Sequence, residues 1–311
     1  MTALRGIPAA LAAAALFIPA AGRAEHGSHG SHGRHGGASV SIDDGRDPVG
    51  CDDIRVSFGS GRRSAVRAEE KAVIPAGREP LRIVAATNSG VRVRGTDRRD
   101  FEVLACKAAP TEDALAQVRL ETRNGEVTVG GPSGGDWVGY LLVEAPRDAA
   151  IDVEATNGPI GLSELSGAVS ARAENGPISI RNSPGTIDAR AQNGPIHVRG
   201  DAGRVNVRTE NGPIGVSLAG ASWRGDGLEA RAVNGPIHVS IPEGYASATV
   251  VESLGHSPWS CRGSACSSAR RTDDDDRRSM ELGSGPAVVR VSTQNGPVSI
   301  ASGSGDDEDD E

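Results

Sequence analysis

Aromatic side chains and lysine are both scarce in this 311-residue chain: aromatic residues make up 3% of it, and lysine occurs only at Lys71 and Lys107. The net charge is −8, so the chain also lacks the excess of basic residues that binds phosphate backbones. The chain contains no nucleophile elbow, phosphate-binding glycine loop or metalloprotease helix motif. These absences argue against a nucleic-acid partner, and we expect a protein that is not an enzyme and has no catalytic residues.

A long apolar segment is missing as well. The longest apolar run, residues 9–18, is too short to span a bilayer comfortably. It follows Arg5 and precedes the small residues Gly22 and Ala24, which is the pattern of a secretory signal peptide over residues 1–24. No cysteine follows the run, which argues against a lipoprotein anchor. We therefore expect an exported protein whose mature chain has no membrane span.

Four cysteines are present, and none of them has the Cys-x-x-Cys spacing that zinc sites favour. In an exported protein they are expected to form disulfides. Cys261 and Cys266 are close enough in sequence to close a small local loop, which leaves Cys51 to pair with Cys106. Four cysteines allow three connectivities, and the sequence does not select among them.

Histidines are concentrated in a Gly/Ser-rich linker, residues 25–37, at a spacing of three: His26, His29, His32 and His35. Imidazoles on such a flexible chain can converge on Zn or Cu. Binding would be weak, because ordering the linker costs conformational entropy. The alternative is a solvated linker without a defined task. Apart from this tract we expect no cofactor.

The most conspicuous feature of the chain is a repeated Asn-Gly-Pro-Ile motif. Its copies and close variants begin at Asn124, Asn157, Asn175, Asn193, Asn211, Asn234 and Asn295. The first copy is a relative that reads Asn-Gly-Glu-Val, and the last one ends in Val. From the second to the fifth copy the spacing is 18 residues, and the next gap is 23. A fixed period of this size indicates a repeat architecture.

Apolar and polar residues alternate on both sides of each motif, as in strands with one buried face. Asn-Gly between such strands is also the signal of an antiparallel hairpin. Against a hairpin, the proline after the glycine removes a donor that a tight two-residue turn would use. We therefore predict an all-β fold, a single-stranded parallel β-solenoid with 18-residue coils, over residues 81–300. Residues 38–80 are predicted to form an N-terminal cap, residues 242–287 a disulfide-closed insertion, and residues 301–311 a disordered acidic tail.

Each motif is predicted to form a corner of a coil. The asparagine amides should stack from coil to coil, and the glycine should supply the backbone freedom that the corner needs. Alanines such as Ala171, Ala173 and Ala189 recur just before the corner. The interior should therefore be narrow there, in agreement with the scarcity of aromatic residues.

The Asn-Gly-x-Ile/Val units alternate with Ser-Gly-x-Val segments such as the one from Ser166 to Val169. Over residues 81–300 this pattern resembles the DUF4097 family of bacterial β-strand repeat proteins and the adhesin-like repeat domains related to it. The resemblance implies a right-handed parallel β-helix outside the bacterial cytoplasmic membrane, in the periplasm or at the cell surface. The family has no established catalytic residues, so none is carried over.

Outward-facing positions would carry the function of such a scaffold. Four arginines recur three residues before the asparagine and should line up on one wall: Arg172, Arg190, Arg208 and Arg231. Their planar groups suit the phosphate or carboxylate groups of envelope polymers. The alternative is a solvated, charge-balanced face, because acidic residues flank the arginines. In the insertion, Trp259 beside the loop between Cys261 and Cys266 is a further candidate contact for a partner.

These patterns lead to three functional hypotheses. The first is a non-enzymatic, exported scaffold, structural or adhesin-like, that binds an envelope polymer or an envelope protein. The second is a periplasmic transition-metal-binding protein that uses the histidine tract. The third, a polysaccharide-active β-helix enzyme, is the least favoured, because the acidic residues interleave with arginines instead of clustering in one cleft.

Overall fold

The structure is a computed structural model that describes residues 38–42, 48–58, 63–85, 89–133, 136–254, 257–274, 276–284 and 287–303. The predicted signal peptide, the linker with His26, His29, His32 and His35, and residues 304–311 of the predicted tail lie outside the described residues.

The described chain is all-β, and two large sheets of mostly parallel strands, called sheet I and sheet II, contain most of it. Sheet I has twelve strands: β5 (Leu81–Ala85), β8 (Arg119–Arg123), β9 (Glu126–Gly130), β11 (Ile151–Ala155), β13 (Ala168–Asn175), β15 (Thr186–Asn193), β17 (Ala202–Asn211), β19 (Arg224–Asn234), β21 (Ala248–Leu254), β23 (Arg270–Asp274), β24 (Arg277–Leu282) and β25 (Ala287–Asn295).

Sheet II has eleven strands: β4 (Val66–Pro75), β6 (Ser89–Thr96), β7 (Asp100–Ala109), β10 (Val138–Pro146), β12 (Ile160–Ser163), β14 (Ile178–Arg181), β16 (Ile196–Gly200), β18 (Ile214–Leu218), β20 (Ile237–Ile241), β22 (Trp259–Arg262) and β26 (Val298–Ser302). A small third sheet contains β1 (Ala38–Ile42), β2 (Ile54–Phe58) and β3 (Arg63–Ser64). The helices are α1 (Glu112–Leu115), α2 (Ser264–Ser267) and a 3-10 turn at Cys51–Asp53. Within the described residues, no helix has the length and apolar character needed to cross a membrane.

Each repeat contributes one strand to sheet I, turns at its Asn-Gly corner, and contributes the next strand to sheet II. Equivalent strands pair in parallel and in register: Val169 lies beside Ile187 in sheet I, and Ile178 lies beside Ile196 in sheet II. This pairing excludes an antiparallel meander for these repeats. The prediction of parallel copies is confirmed from β11 to β20.

The core lies between the two sheets and is formed by the alternate, inward side chains of both. Sheet II contributes fully buried isoleucines such as Ile178 and Ile196, while sheet I contributes the alanines Ala171 and Ala189, each 0% exposed. Sheet I also contributes larger buried side chains such as Ile187, and its alanines lie at the positions nearer the corner. Burial of each isoleucine stabilises the stack by about 1.5–3 kcal/mol.

A ladder of asparagine side chains runs along the corner. Asn175 Nδ2 donates to Asn157 Oδ1 over 3.0 Å, and the same bond links Asn193 to Asn175 and Asn211 to Asn193. Two further bonds extend the ladder through Asn234 at 3.1 Å and to Asn295 at 3.0 Å. Each interior asparagine therefore both donates and accepts one amide hydrogen bond.

The corner glycines are required for a different reason from the one predicted. Gly176 and Gly194 do not have positive φ, so the corner does not need left-handed backbone there. A Cβ on Gly194 would instead lie 2.2 Å from the carbonyl oxygen of Gly176, and a Cβ on Gly176 would lie 2.2 Å from that of Gly158. Successive corners approach too closely for a side chain.

The prediction that Asn124 occupies the same corner is wrong. Asn124 and Gly125 have φ of 50° and 76° and form the turn of an antiparallel hairpin between β8 and β9. No proline follows this Gly, which is why a tight two-residue turn can form. The coil that precedes Asn157 in the stack is instead built by β5 and β6: Leu81 pairs with Ile151, and Val91 with Ile160. It lacks the Asn-Gly-Pro motif and was not recognisable from the repeat.

The predicted insertion, residues 242–287, contains the last layer of the stack. Strand β25 pairs with β19 on one side and β21 on the other, and β26 lies between β20 and β22 in the same way. The C-terminal repeat is thus sandwiched inside the stack. Strands β24 and β23 then extend sheet I in antiparallel pairing. This segment also contains the Cys261–Cys266 disulfide.

At the opposite end, antiparallel strands complete both sheets: β7 and β4 in sheet II, and β8 beside β9 in sheet I. Antiparallel strands β7 and β8 thus occur past residue 80, the predicted end of the cap, while β5, β6 and β9 belong to the parallel stack. The Cys51–Cys106 disulfide joins the N-terminal segment to β7, where Ile54 packs on Tyr140 and Leu142 on the outer face of sheet II.

Candidate binding groove

The outward face of sheet I carries the four predicted arginines as one unbroken row. Strand pairing places Arg172 beside Arg190, Arg190 beside Arg208, and Arg208 beside Arg231. All four side chains are exposed. With neighbouring strands about 4.8 Å apart, the row is about 14 Å long. We call it the arginine row.

Three members of the arginine row form ion pairs. Arg172 lies 3.2 Å from Asp152 Oδ1 and 3.7 Å from Glu154 Oε1. Arg190 Nε lies 3.1 Å from Asp188 Oδ1 on its own strand, and Arg231 pairs with Glu229 two residues before it. Pairs as exposed as these contribute about 0–1 kcal/mol, but they orient the guanidinium groups along the sheet.

Arg208 is the exception within the arginine row. Among the residues that the structure describes, none places a carboxylate oxygen within 4.0 Å of its guanidinium nitrogens. The position two residues before it is Asn206, where Arg190 and Arg231 have an acid. The Asn206 amide instead donates to Asp188 Oδ2 over 3.3 Å. Arg208 is therefore the member whose charge lacks a local acidic partner.

An open groove of about 870 Å³ runs over the arginine row. It begins near Val84 on β5, and a second depression of about 360 Å³ continues it to Leu254 on β21. Arg208, Glu229 and Arg231 line both parts, so the two are continuous. With Arg277 on β24, residues of nine strands line the groove, which is about 38 Å long. This shape suits an extended ligand more than a compact one.

The groove is polar and carries charges of both signs. Its main part is lined by four arginines and by five carboxylates, those of Glu154, Glu174, Asp188, Glu210 and Glu229. None of the described residues that line either part is aromatic, so the groove offers no stacking surface. Across the described part of the chain, no group of three or more His, Cys, Asp or Glu side chains is arranged to hold a metal ion.

Trp259, the other predicted contact, lies apart from the arginine row. It is on β22 in sheet II, and it is half-buried against the core. Its indole N–H donates to Ser253 Oγ over 2.7 Å. The structure therefore does not join Trp259 and the arginines in one site, and only part of the Trp259 side chain is exposed for contact.

The sequence pattern did not single out the residues that distinguish Arg208 from its neighbours. Asn206 occupies a column in which two of the neighbouring coils have acids, Asp188 and Glu229. That break is visible in the aligned repeats. Its consequence depends on which carboxylates reach which guanidinium groups, and this was not readable from spacing alone.

Comparison with known proteins identifies no family for this chain. No family model matches it, and no curated protein matches it. The resemblance to DUF4097 proteins thus stays a prediction.

Some solved structures are similar in chain path at low identity. A candidate adhesin from Bacteroides fragilis is 10% identical, with a TM-score of 0.34 over 77% of this chain and 98% of that one. A candidate cell adhesion protein from Clostridium sporogenes is 9% identical, with a TM-score of 0.31 over 76% and 100%. A candidate lipid-binding protein from Parabacteroides distasonis is 8% identical, with a TM-score of 0.31 over 76% and 96%. Values this low support no argument about function.

Proposed function

We propose that this protein is an exported, non-enzymatic binding scaffold of the bacterial envelope. In this proposal the parallel stack is a right-handed β-solenoid of 18-residue coils, related to the DUF4097 repeat proteins. Parallel strands joined by a crossover in one sheet are right-handed in about 98% of cases, which supports the proposed hand. The signal-like segment at residues 1–24 and the two disulfides fit an oxidising, exported location.

The observation that carries the proposal is the arginine row in its groove. Strand pairing on both sides fixes the spacing of Arg172, Arg190, Arg208 and Arg231, so the row is presented without an ordering cost in the backbone. Guanidinium groups bind phosphate and carboxylate in a planar, bidentate manner. An envelope polymer or an envelope protein that bears such groups is the proposed partner.

Retention on isolated envelope material in low salt tests this function. The mature protein should be retained, and the double variant Arg190→Ala with Arg208→Ala should elute earlier. A matched control is Arg199→Ala with Arg262→Ala, which removes the same charge from exposed positions of sheet II. Equal retention of the groove variant and the wild type would show that the arginine row is not a binding surface.

A second candidate function, transition-metal binding, rests on the four regularly spaced histidines of the linker. Deletion of residues 26–35 should then lower the zinc or copper that copurifies with the protein, as measured by elemental analysis. Metal content that does not fall with the deletion rejects this function. Polysaccharide cleavage is the weakest of the three, because in the groove three of the five carboxylates, Glu154, Asp188 and Glu229, are ion-paired to arginines.

A further inference from the structure

At the centre of the groove, an arginine and a glutamate on the same strand both lack an ion-pair partner among the described residues. Arg208 is the cation, as described above. Glu210, two residues later on β17, faces the same side of sheet I and is exposed. Among the described residues, no arginine or lysine nitrogen lies within 4.0 Å of its carboxylate, Arg208 included. Their Cα atoms are roughly 6.6 Å apart, the repeat of alternate residues in a strand.

The surroundings of this pair restrict the ligand. Four arginines and five carboxylates line the main groove, so its charges nearly cancel and a ligand with only negative groups gains little attraction along its length. An isolated anion beside Arg190 would meet the Asp188 carboxylate, which already lies 3.1 Å from that guanidinium. Near Arg208, the position two residues earlier on the same strand is the neutral Asn206, and the neutral Gln192 lies beside Glu210 on the neighbouring strand. An anionic group is therefore accepted best at Arg208 and a cationic group best at Glu210.

We propose that Arg208 and Glu210 form a two-point site for a zwitterionic group, in which a phosphate or carboxylate lies a short linker away from an ammonium. The guanidinium would hold the anion through paired N–H donors, and the Glu210 carboxylate would accept from the ammonium. The proposal rests on the proposed function and specifies the chemistry that the groove recognises. It differs from a general anion site because both charges of the ligand are required.

An NMR titration of the mature protein with O-phosphoethanolamine tests the site. This probe carries a phosphate and an ammonium separated by two methylene groups. Signals from residues 206–210 should shift with saturation, and inorganic phosphate or ethanolamine alone should bind about tenfold or more weakly, since each loses one charge-assisted contact. Equal affinity for phosphate and O-phosphoethanolamine would reduce the site to a plain anion contact and overturn the proposal, as would the absence of saturable shifts.

The chain offers matched control variants. Arg208→Gln should weaken O-phosphoethanolamine binding about tenfold, whereas Arg190→Gln, in the same row but paired with Asp188, should change it less than about threefold. Glu210→Gln should weaken binding of the zwitterion and leave phosphate binding unaffected. Glu69→Gln, which removes the same charge from an exposed position on β4 of sheet II, outside the groove, should leave both unchanged. Arg208→Lys keeps the charge and serves as a second variant if Arg208→Gln alters the fold. Equal effects at Arg190 and Arg208 contradict the assignment.

Two further measurements identify the source of the ligand and show which of the two proposals has failed. Stronger binding to phosphatidylethanolamine vesicles than to phosphatidylglycerol vesicles would show that the zwitterionic group is a lipid headgroup. Binding to the free probe but not to the vesicles would show that it belongs to a solute or is a substituent of a polymer. If envelope retention depends on Arg208 but O-phosphoethanolamine neither binds nor competes, the zwitterion site fails while the proposed function stands.

Discussion

Substitution of Gly194 by alanine tests whether the coils stack as closely as the structure shows. The added Cβ would lie 2.2 Å from the carbonyl oxygen and 2.7 Å from the carbonyl carbon of Gly176. These atoms belong to the backbone of the neighbouring coil, which is held by the hydrogen bond from Gly176 N to Asn193 O at 3.1 Å. The clash therefore cannot be relieved by rotation of a side chain, and two coils must separate locally.

The expected cost follows from two opposing effects. Alanine restricts the unfolded chain more than glycine does, which favours folding by about 0.4–1 kcal/mol. Overpacking costs about 1–3 kcal/mol and more where the surroundings are rigid, as they are here. We expect a net loss of about 2 kcal/mol in the free energy of unfolding, or a fall in Tm of roughly 4–8 °C in a domain of this size. Thermal unfolding followed by circular dichroism measures it.

Gly161→Ala is the matched control for this prediction. Gly161 is also in the stack, on β12, but its nearest neighbour outside the adjoining residues is Arg92 Cγ, 3.6 Å from an added Cβ. This is an ordinary contact, so the substitution should be neutral or stabilise the protein by up to about 1 kcal/mol. If Gly194→Ala unfolds at the same temperature as Gly161→Ala or above it, the close approach of the corners is not a constraint on the fold, and our account of the repeated glycine fails.

Three other perturbations probe the ladder and the buried polar groups. Asn193→Ala removes two ladder hydrogen bonds and should lower the free energy of unfolding by about 1–2 kcal/mol. Asn157→Ala removes one such bond and should lower it by about half as much. Equal Tm values for the two variants would count against the ladder. Glu70→Gln leaves the buried ammonium of Lys107, now 2.8 Å from Glu70, without its carboxylate and should cost about 2 kcal/mol in urea unfolding. The Lys107 hydrogen bond lowers the pKa of Glu70, so this stability is present above the ordinary value of 4.5 and is lost as the pH falls. Burial raises the pKa of Tyr245 to about 12, so a stabilisation of roughly 3 kcal/mol is complete below pH 10 and is lost as the pH rises to 12. Alkaline unfolding of Tyr245→Phe should lack that loss, and parallel unfolding curves for the two proteins would refute this account.

The regular part of the fold could be predicted from the repeats because in-register stacking places identical side chains next to each other. Val169, Ile187 and Val205 repeat with the coil, and they do pair. The prediction for Asn124 failed for a physical reason, because Asn-Gly also favours a type I′ hairpin turn. Only the proline that follows the glycine distinguishes a solenoid corner from such a turn. The order of the layers at the C-terminal end could not be predicted from the sequence, because the spacing of the repeats does not reveal that β25 lies between β19 and β21.

The same regularity explains why the candidate site lies where the repeat is broken. In a stack of identical coils, each arginine of the row would have an identical acidic partner, and the face would be a uniform lattice of ion pairs. Arg190 and Arg231 follow that rule through Asp188 and Glu229. The acid is absent at two coils, where Ser170 and Asn206 stand in its place. Asp152 and Glu154 of the preceding coil pair with Arg172, whereas Arg208 stays charged and accessible at the point where both parts of the groove meet. Because the strands on either side hold the backbone fixed, the missing carboxylate is not replaced by rearrangement of the sheet, and Arg208 remains without an ion-pair partner among the described residues. The repeat thus supplies the rigid spacing, and the departure from it at Asn206 supplies the position at which an anionic group is distinguished.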